Sequence, residues 1–205
     1  WGVALKVNDL GGKVVTISGP DGYIYDEEGI SGEKIDFMVE MRGRGDNRVE
    51  AYLEKYPNAV FNKGKSVWEV KVDVAIPCAT QNELHEEDAK KLIANGVICV
   101  TEAANMPSTL GAIKEFLNAK VLFAPGKAAN AGGVAASGLE MTQNSIRLNW
   151  TSEEVDTRLK EIMVGIHNQC KTYGADGEGY VNYVKGANIA GFVKVADAML
   201  AQGVV

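Results

Sequence analysis

The chain has little with which to bind a metal or build a disulfide framework: its 205 residues hold three cysteines and two histidines. Cys78, Cys99 and Cys170 are odd in number and widely spaced, with no Cys-x-x-Cys. That argues against a disulfide scaffold and a zinc site, and points to a reducing, cytoplasmic compartment with buried or inert thiols. His85 belongs to no HExxH pattern and reads as a surface residue. No apolar run of about 20 residues and no leader-like stretch stands in these 205 residues, so Asn149-Trp150-Thr151 is expected to be a chance match to the glycosylation sequon. Basic charge is sparse as well. Lys90-Lys91 is the longest basic run, and 27 acidic side chains outnumber 21 basic ones for a net charge of −6. Nucleic acid and anionic membranes are therefore disfavoured, because both demand clustered Lys and Arg.

Familiar nucleotide and nucleophile motifs are missing too. Gly43-Arg44-Gly45 is followed by Arg48 where a third glycine would complete G-x-G-x-x-G, and Gly64-Lys65-Ser66 lacks the leading glycine of a P-loop, Ala59 standing there. No Ser/His/Asp or Cys/His arrangement is readable, and Glu86-Glu87-Asp88 looks like a solvated face. What remains is 46% hydrophobic and 23% charged, the balance of a soluble globular chain long enough to bury roughly 70% of its unfolded surface.

Apolar spacing places the elements. Val3, Val7 and Leu10 recur as on a helix that ends at Gly11-Gly12. With no initiator methionine and no cap before Trp1, this start is expected to have lost what preceded it. Lys13–Ser18 reads as a strand closed by the turn Gly19-Pro20-Asp21-Gly22, and Glu33–Arg42 as a helix with Ile35, Met38, Val39 and Met41 apolar. Strands over Val72–Ile76, Val97–Thr101 and Lys120–Ala124 alternate with helices over Asp88–Asn95 and Leu110–Asn118. Such alternation predicts βαβ units and a doubly wound, mostly parallel α/β sheet, one domain over 1–205. Residues 1–130 carry the alternation and 131–205 a helical extension. Within the extension lie a long helix to about Asn149, a second opened by the capping box Thr151-x-x-Glu154 with Val155, Leu159, Ile162 and Ile166 on one stripe, and a last one over Asn188–Gln202 with Ile189, Phe192, Val193, Ala196, Met199 and Leu200 inward. That surplus of helix is expected to cover a sheet edge or pack on a neighbouring domain.

Ligands of open α/β sheets bind beyond the carboxyl ends of the strands. Those ends hold Ser18 and Asp21, then Ala79, Thr80 and Gln81, then Asn105, and then Asn130 with Gly132-Gly133. They are small residues, amides and hydroxyls rather than bases, suited to orienting the ribose and carboxamide of a dinucleotide. Thr80-x-x-Glu83 also fits a capping box, and from the residues alone a helix start at Thr80 is the favoured reading. The glycine pair costs about 1 kcal/mol per residue in a helix and hints at close backbone approach.

The same stretches carry a resemblance. Ser18-Gly19-Pro20-Asp21-Gly22-Tyr23, Pro77-Cys78-Ala79-Thr80-Gln81-Asn82-Glu83-Leu84, Ala104-Asn105-Met106-Pro107, Ala124–Val134, Ser137–Asn144 and Gly186–Phe192 resemble the C-terminal cofactor domain of the hexameric glutamate dehydrogenases. The resemblance implies a Rossmann-like fold and, for the whole protein, reversible conversion of L-glutamate, water and NAD(P)+ to 2-oxoglutarate, ammonia and NAD(P)H in a homohexamer. It assigns Ser18, Asp21, Ala79, Thr80, Gln81, Asn105 and Asn130 to the cofactor surface, and Val134 and Ser137 to the glutamate pocket. The family's first strand, its glycine-rich turn, its substrate domain and its catalytic lysine and acidic partner are expected upstream of Trp1, so the chain alone is expected to be inactive. Asp21 near the ribose 2′-position would favour NAD, while Arg42 and Arg44 could neutralise a 2′-phosphate, which leaves NAD(P). Two other readings stay open: another amino-acid dehydrogenase of the superfamily, and a non-catalytic nucleotide-binding module.

Overall fold

In the computed structural model, residues 1–203 are described; they divide after Glu69 into two units. In the first, helix α1 (Gly2–Asp9) leads into strands β1 (Thr16–Gly19) and β2 (Gly22–Tyr25), helix α2 (Glu33–Gly43), a 3-10 turn over Val49–Glu54, strand β3 (Val60–Lys63) and a second 3-10 turn over Val67–Glu69. The turn expected at Gly19–Gly22 is there, but it closes an antiparallel hairpin, with Ser18 opposite Tyr23, and β3 adds antiparallel to β2. Strand β1 therefore belongs to a separate antiparallel sheet β1-β2-β3 and not to a parallel one. Gly22 has φ 147°, and a Cβ there would lie 2.3 Å from the Asn62 carbonyl oxygen, so only glycine lets β3 approach.

Ile24, Ile30, Ile35, Met38, Val49 and Tyr52 form this unit's core, each such side chain contributing about 1.5–3 kcal/mol when fully buried. Of the four apolar positions on α2, Ile35, Met38 and Met41 are buried and Val39 is 45% exposed. Beside the core lies a buried carboxylate. Asp26 accepts from Lys34 Nζ at 2.8 Å, from the Tyr52 hydroxyl at 2.6 Å and from the Glu28 backbone N–H at 3.0 Å. Burial alone would raise the Asp26 carboxyl, but Lys34, Tyr52 and the Glu28 amide outweigh it and hold the pKa below the ordinary carboxylate value. Burial and the adjoining Asp26 push the Tyr52 phenol well up.

The second unit is the α/β part. Strands β4 (Val74–Ala75), β5 (Cys99–Thr101) and β6 (Leu122–Ala124) form a parallel sheet in that order, and helices α3 (Glu86–Ala94) and α4 (Leu110–Asn118) make the crossovers. Val100, Leu84, Leu92, Phe116 and Phe123 are among its fully buried side chains, the two phenyl rings stacked 5.6 Å apart. Short helix α5 (Gly126–Ala129) follows β6, and α6 (Ala131–Ile146), α7 (Ser152–Gly174) and α8 (Tyr183–Gln202) form the helical extension.

The capping box that opens α7 is present: Thr151 N–H donates to Glu154 at 2.7 Å and Glu154 N–H to the Thr151 hydroxyl at 3.2 Å. Helix α8 begins five residues before the expected Asn188, because Asn182 accepts from Lys185 N–H at 2.9 Å and caps it. Gly186 does not interrupt this helix, for a Cβ there would lie 2.0 Å from the Cys170 carbonyl oxygen of α7. The inward stripes are narrower than expected. Ile189, Val193 and Ala196 are partly buried, whereas Phe192, Met199 and Leu200 are exposed; on α7, Met163 and Cys170 are covered and Ile162 is exposed. Among the described residues no helix is long and apolar enough to cross a membrane.

Candidate functional site

The parallel strands end in loops that bond to one another. Ala103 N–H donates to the Pro77 carbonyl at 2.9 Å, Asn82 N–H to Met106 at 2.9 Å, Leu84 N–H to Pro107 at 2.9 Å and Thr109 N–H to Leu84 at 3.0 Å. Asn82 and Met106 take left-handed backbone, φ 54° and 50°, a conformation that asparagine adopts readily and methionine rarely. Ala79, Thr80 and Gln81 lie exposed on this scaffold. Thr80 starts no helix. Glu83 instead accepts the Ala79 N–H at 2.9 Å, and α3 begins at Glu86, with His85 N–H donating to Asp88 at 3.1 Å. The capping reading of Thr80 is thereby replaced by a free hydroxyl at a strand end.

Asn105 and Asn130 meet directly. Asn130 Nδ2 donates to Asn105 Oδ1 at 2.7 Å and to the Ala104 carbonyl at 3.0 Å. Each amide then keeps one unused group, the Asn105 Nδ2 donor and the Asn130 Oδ1 acceptor. Val134 and Ser137 stand one and two turns along α6 from Asn130 on the same helical row, both exposed, the Ser137 hydroxyl donating to the Gly133 carbonyl at 3.3 Å. A Cβ on Gly133 would meet nothing within 4 Å, and one on Gly132 would only touch Met163 at 3.8 Å. The glycine pair therefore makes no close approach to this chain's own backbone.

In the first unit, Ser18 is exposed on β1 and Arg42 is exposed in the last turn of α2. Arg44, two residues on, pairs with Glu40. Asp21 carries a structural load: its Oδ1 accepts the Val49 N–H and its Oδ2 the Glu50 N–H, both at 3.0 Å, closing the start of the 3-10 turn. Arg48 pairs with Asp46 at 2.7 Å and draws that carboxyl down to about 2. A shallow hollow of about 390 Å3 lined by Arg48, Glu50, Ala51, Leu53 and Glu54 contains none of the expected site residues. Among the described residues no group of three His, Cys, Asp or Glu could hold a metal ion. All three thiols are free; Cys170 is buried, whereas Cys78 is exposed and departs from the buried reading.

The sequence reading missed Glu102. It is 3% exposed, and its two oxygens accept the Ser108 N–H at 3.1 Å and the Gly126 N–H at 2.6 Å. The signal was a carboxylate between a β-branched strand and two alanines, with no base beside it in sequence.

A family profile described as "Glutamate/Leucine/Phenylalanine/Valine dehydrogenase" matches residues 1–203. The chain is 60% identical over all 205 residues to an NAD-specific glutamate dehydrogenase of Bacteroides fragilis, of which it covers 46%, and 54% identical over 200 residues to an NADP-specific one of Escherichia coli, of which it covers 44%. It thus spans a little under half the length of these curated relatives. Among solved structures, a glutamate dehydrogenase matches with TM-score 0.93 at 50% identity over 99% of this chain and 45% of that one. One from Plasmodium falciparum matches with TM-score 0.92 at 41% identity, over 98% of this chain and 43% of that one.

Proposed function

Because the chain belongs to the glutamate/leucine/phenylalanine/valine dehydrogenase family, we propose that it is the cofactor-binding part of a glutamate dehydrogenase. The reaction is L-glutamate, water and NAD(P)+ to 2-oxoglutarate, ammonia and NAD(P)H, reversibly. The observation that carries the reading is the Asn105–Asn130 pair at 2.7 Å. The unused donor on Asn105 and acceptor on Asn130 are complementary to the carbonyl and NH2 of a carboxamide. The exposed Thr80 hydroxyl and Gln81 amide add neutral partners of the kind a ribose needs. When bound, the nicotinamide supplies a reversible hydride acceptor. Ala79, Thr80, Gln81, Asn105 and Asn130 of the second unit bind and orient it; in the first unit Ser18 and Arg42 are exposed and open to a ligand, whereas both oxygens of Asp21 are taken by backbone amides.

The reading treats 1–205 as one dinucleotide-binding domain of a cytoplasmic homohexamer and admits both NAD and NADP. Asp21 is occupied by two backbone amides, Arg42 is exposed, and relatives are named for each nucleotide. Val134 and Ser137 are assigned to the substrate. An exposed hydroxyl at position 137 suits an acidic substrate better than an apolar one, which favours glutamate over leucine, phenylalanine or valine. The test is reduction of NAD+ or NADP+ by the full-length protein with each of these four amino acids. Glutamate is expected to give the highest kcat/KM; reduction with another amino acid, or with none, would overturn the assignment.

A further inference from the structure

Glu102 is a buried carboxylate that the proposed chemistry leaves unused. It is 3% exposed, and among the described residues no Lys or Arg pairs with it; its oxygens are met by the backbone N–H groups of Ser108 and Gly126. A buried carboxylate is costly unless hydrogen-bonded, and these two donors lie in different segments. Ser108 ends the loop that follows β5 and carries Asn105; Gly126 opens the segment that follows β6 and ends at Asn130. One side chain therefore ties together the two loops whose amides meet at their tips. The junction is tight as well as polar: a Cβ on Gly126 would lie 2.8 Å from the Ala104 carbonyl oxygen and 3.3 Å from Glu102 Oε2. That carbonyl is one of the two groups to which Asn130 donates. The Ser108 hydroxyl, buried beside this junction, has no hydrogen-bond partner among the described residues, so the polar hold on that loop end comes from the Glu102–Ser108 amide bond and the loop ladder.

We infer that Glu102 is a positioning residue, which sets the Asn105–Asn130 pair for a carboxamide by holding both loops from beneath. This rests on the reading of the preceding subsection. Neutralising it without changing its shape, as in Glu102→Gln, places an NH2 against one of two N–H donors. The shorter bond, to Gly126, keeps the oxygen, so the Ser108 side is released.

The experiment measures binding of NADH, NADPH and ADP-ribose to the full-length protein and its Glu102→Gln variant, with amide hydrogen exchange over 103–109 and 125–131. The expected result is a loss of about tenfold or more for the reduced dinucleotides, the scale of one charge-assisted hydrogen bond. ADP-ribose, which lacks the carboxamide, should change by less than about twofold, and exchange over 103–109 should accelerate. Equal losses for both ligand classes, or unchanged exchange, would overturn the inference. If Glu102→Gln does not fold, Asn105→Ala decides: it should show the same selective loss, and an unchanged ratio of NADH to ADP-ribose affinity sinks the idea. Where both variants fold, their effects on NADH should fall well short of additive, since they act on one arrangement. Should the wild-type protein bind neither reduced dinucleotide, the proposed function fails, and hydrogen exchange alone then decides the positioning role.

Discussion

Asp21 and Val49, 28 residues apart, are joined by a 3.0 Å hydrogen bond from the Val49 backbone amide to the aspartate side chain, and Glu50 adds a second at the same distance. The hairpin turn thus caps the 3-10 turn that places Tyr52 in the core. Replacing Asp21 by alanine removes both acceptors and is expected to destabilise the protein by about 1–2 kcal/mol, as for loss of a helix cap. Asn, with one acceptor oxygen, should cost about half as much. Urea unfolding of the two variants checks the order.

The Asp26–Lys34 pair makes a pH prediction. Asp26 titrates below its unfolded value, so the stability it adds is complete above the ordinary carboxylate pKa of about 4 and is lost as pH falls through the lower folded value. Hydrogen bonding to Asp26 raises Lys34, so its share is complete below about pH 10 and is lost as pH rises through the raised value. Lys34→Met should cost roughly 2–4 kcal/mol at pH 7, because it leaves a buried carboxylate with two neutral donors. The cost should shrink near pH 3. A difference between variant and wild type that stays constant from pH 7 to pH 3 would contradict the assignment.

Gly186 is where α7 and α8 touch. Alanine there drives a methyl into the Cys170 carbonyl, 2.0 Å from the ideal Cβ position, and backbone cannot yield as a flexible side chain would. The expected loss is about 3 kcal/mol or more, seen as a lower melting temperature and faster exchange in both helices. By contrast Gly191→Ala, with nothing within 4 Å, should be neutral or slightly stabilising.

Ser137→Ala separates substrate from cofactor. The hydroxyl donates to the Gly133 carbonyl of its own helix and is exposed, so its loss should leave stability within about 0.5 kcal/mol. In the full-length protein KM for glutamate should rise about tenfold or more while KM for the nucleotide stays within about twofold. An unchanged KM for glutamate removes Ser137 from the pocket.

Local chemistry was enough for much of this fold. The 3.6-residue spacing of Leu110–Asn118 and the reciprocal Thr151–Glu154 box are properties of adjacent residues, and they appear where the sequence puts them. Short strands with turn residues at their ends likewise marked Asn105, Asn130 and the Gly19–Gly22 turn. Pairing partners were another matter. Nothing near β2 says that β3 pairs with it, because that depends on Gly22 admitting the Asn62 carbonyl from 40 residues away. A capping pattern such as Thr80-x-x-Glu83 is equally ambiguous until the Ala79 amide is seen to take the glutamate. The outward turn of Phe192, Met199 and Leu200 was hidden for the same reason: an amphipathic pattern gives a stripe, and packing against α7 selects which part of it is covered.

By itself, then, the sequence determined the composition class, most helices and the strand ends where uncharged hydrogen-bonding residues gather, since propensity, capping and turn chemistry act over a few residues. Tertiary structure alone decided that Asp21 is a backbone clamp, that Asn105 and Asn130 share a hydrogen bond, and that Glu102 binds two loops from below. Those facts depend on burial and on donors up to 29 residues distant, and a carboxylate's role is set by whichever amides the folded chain brings to it.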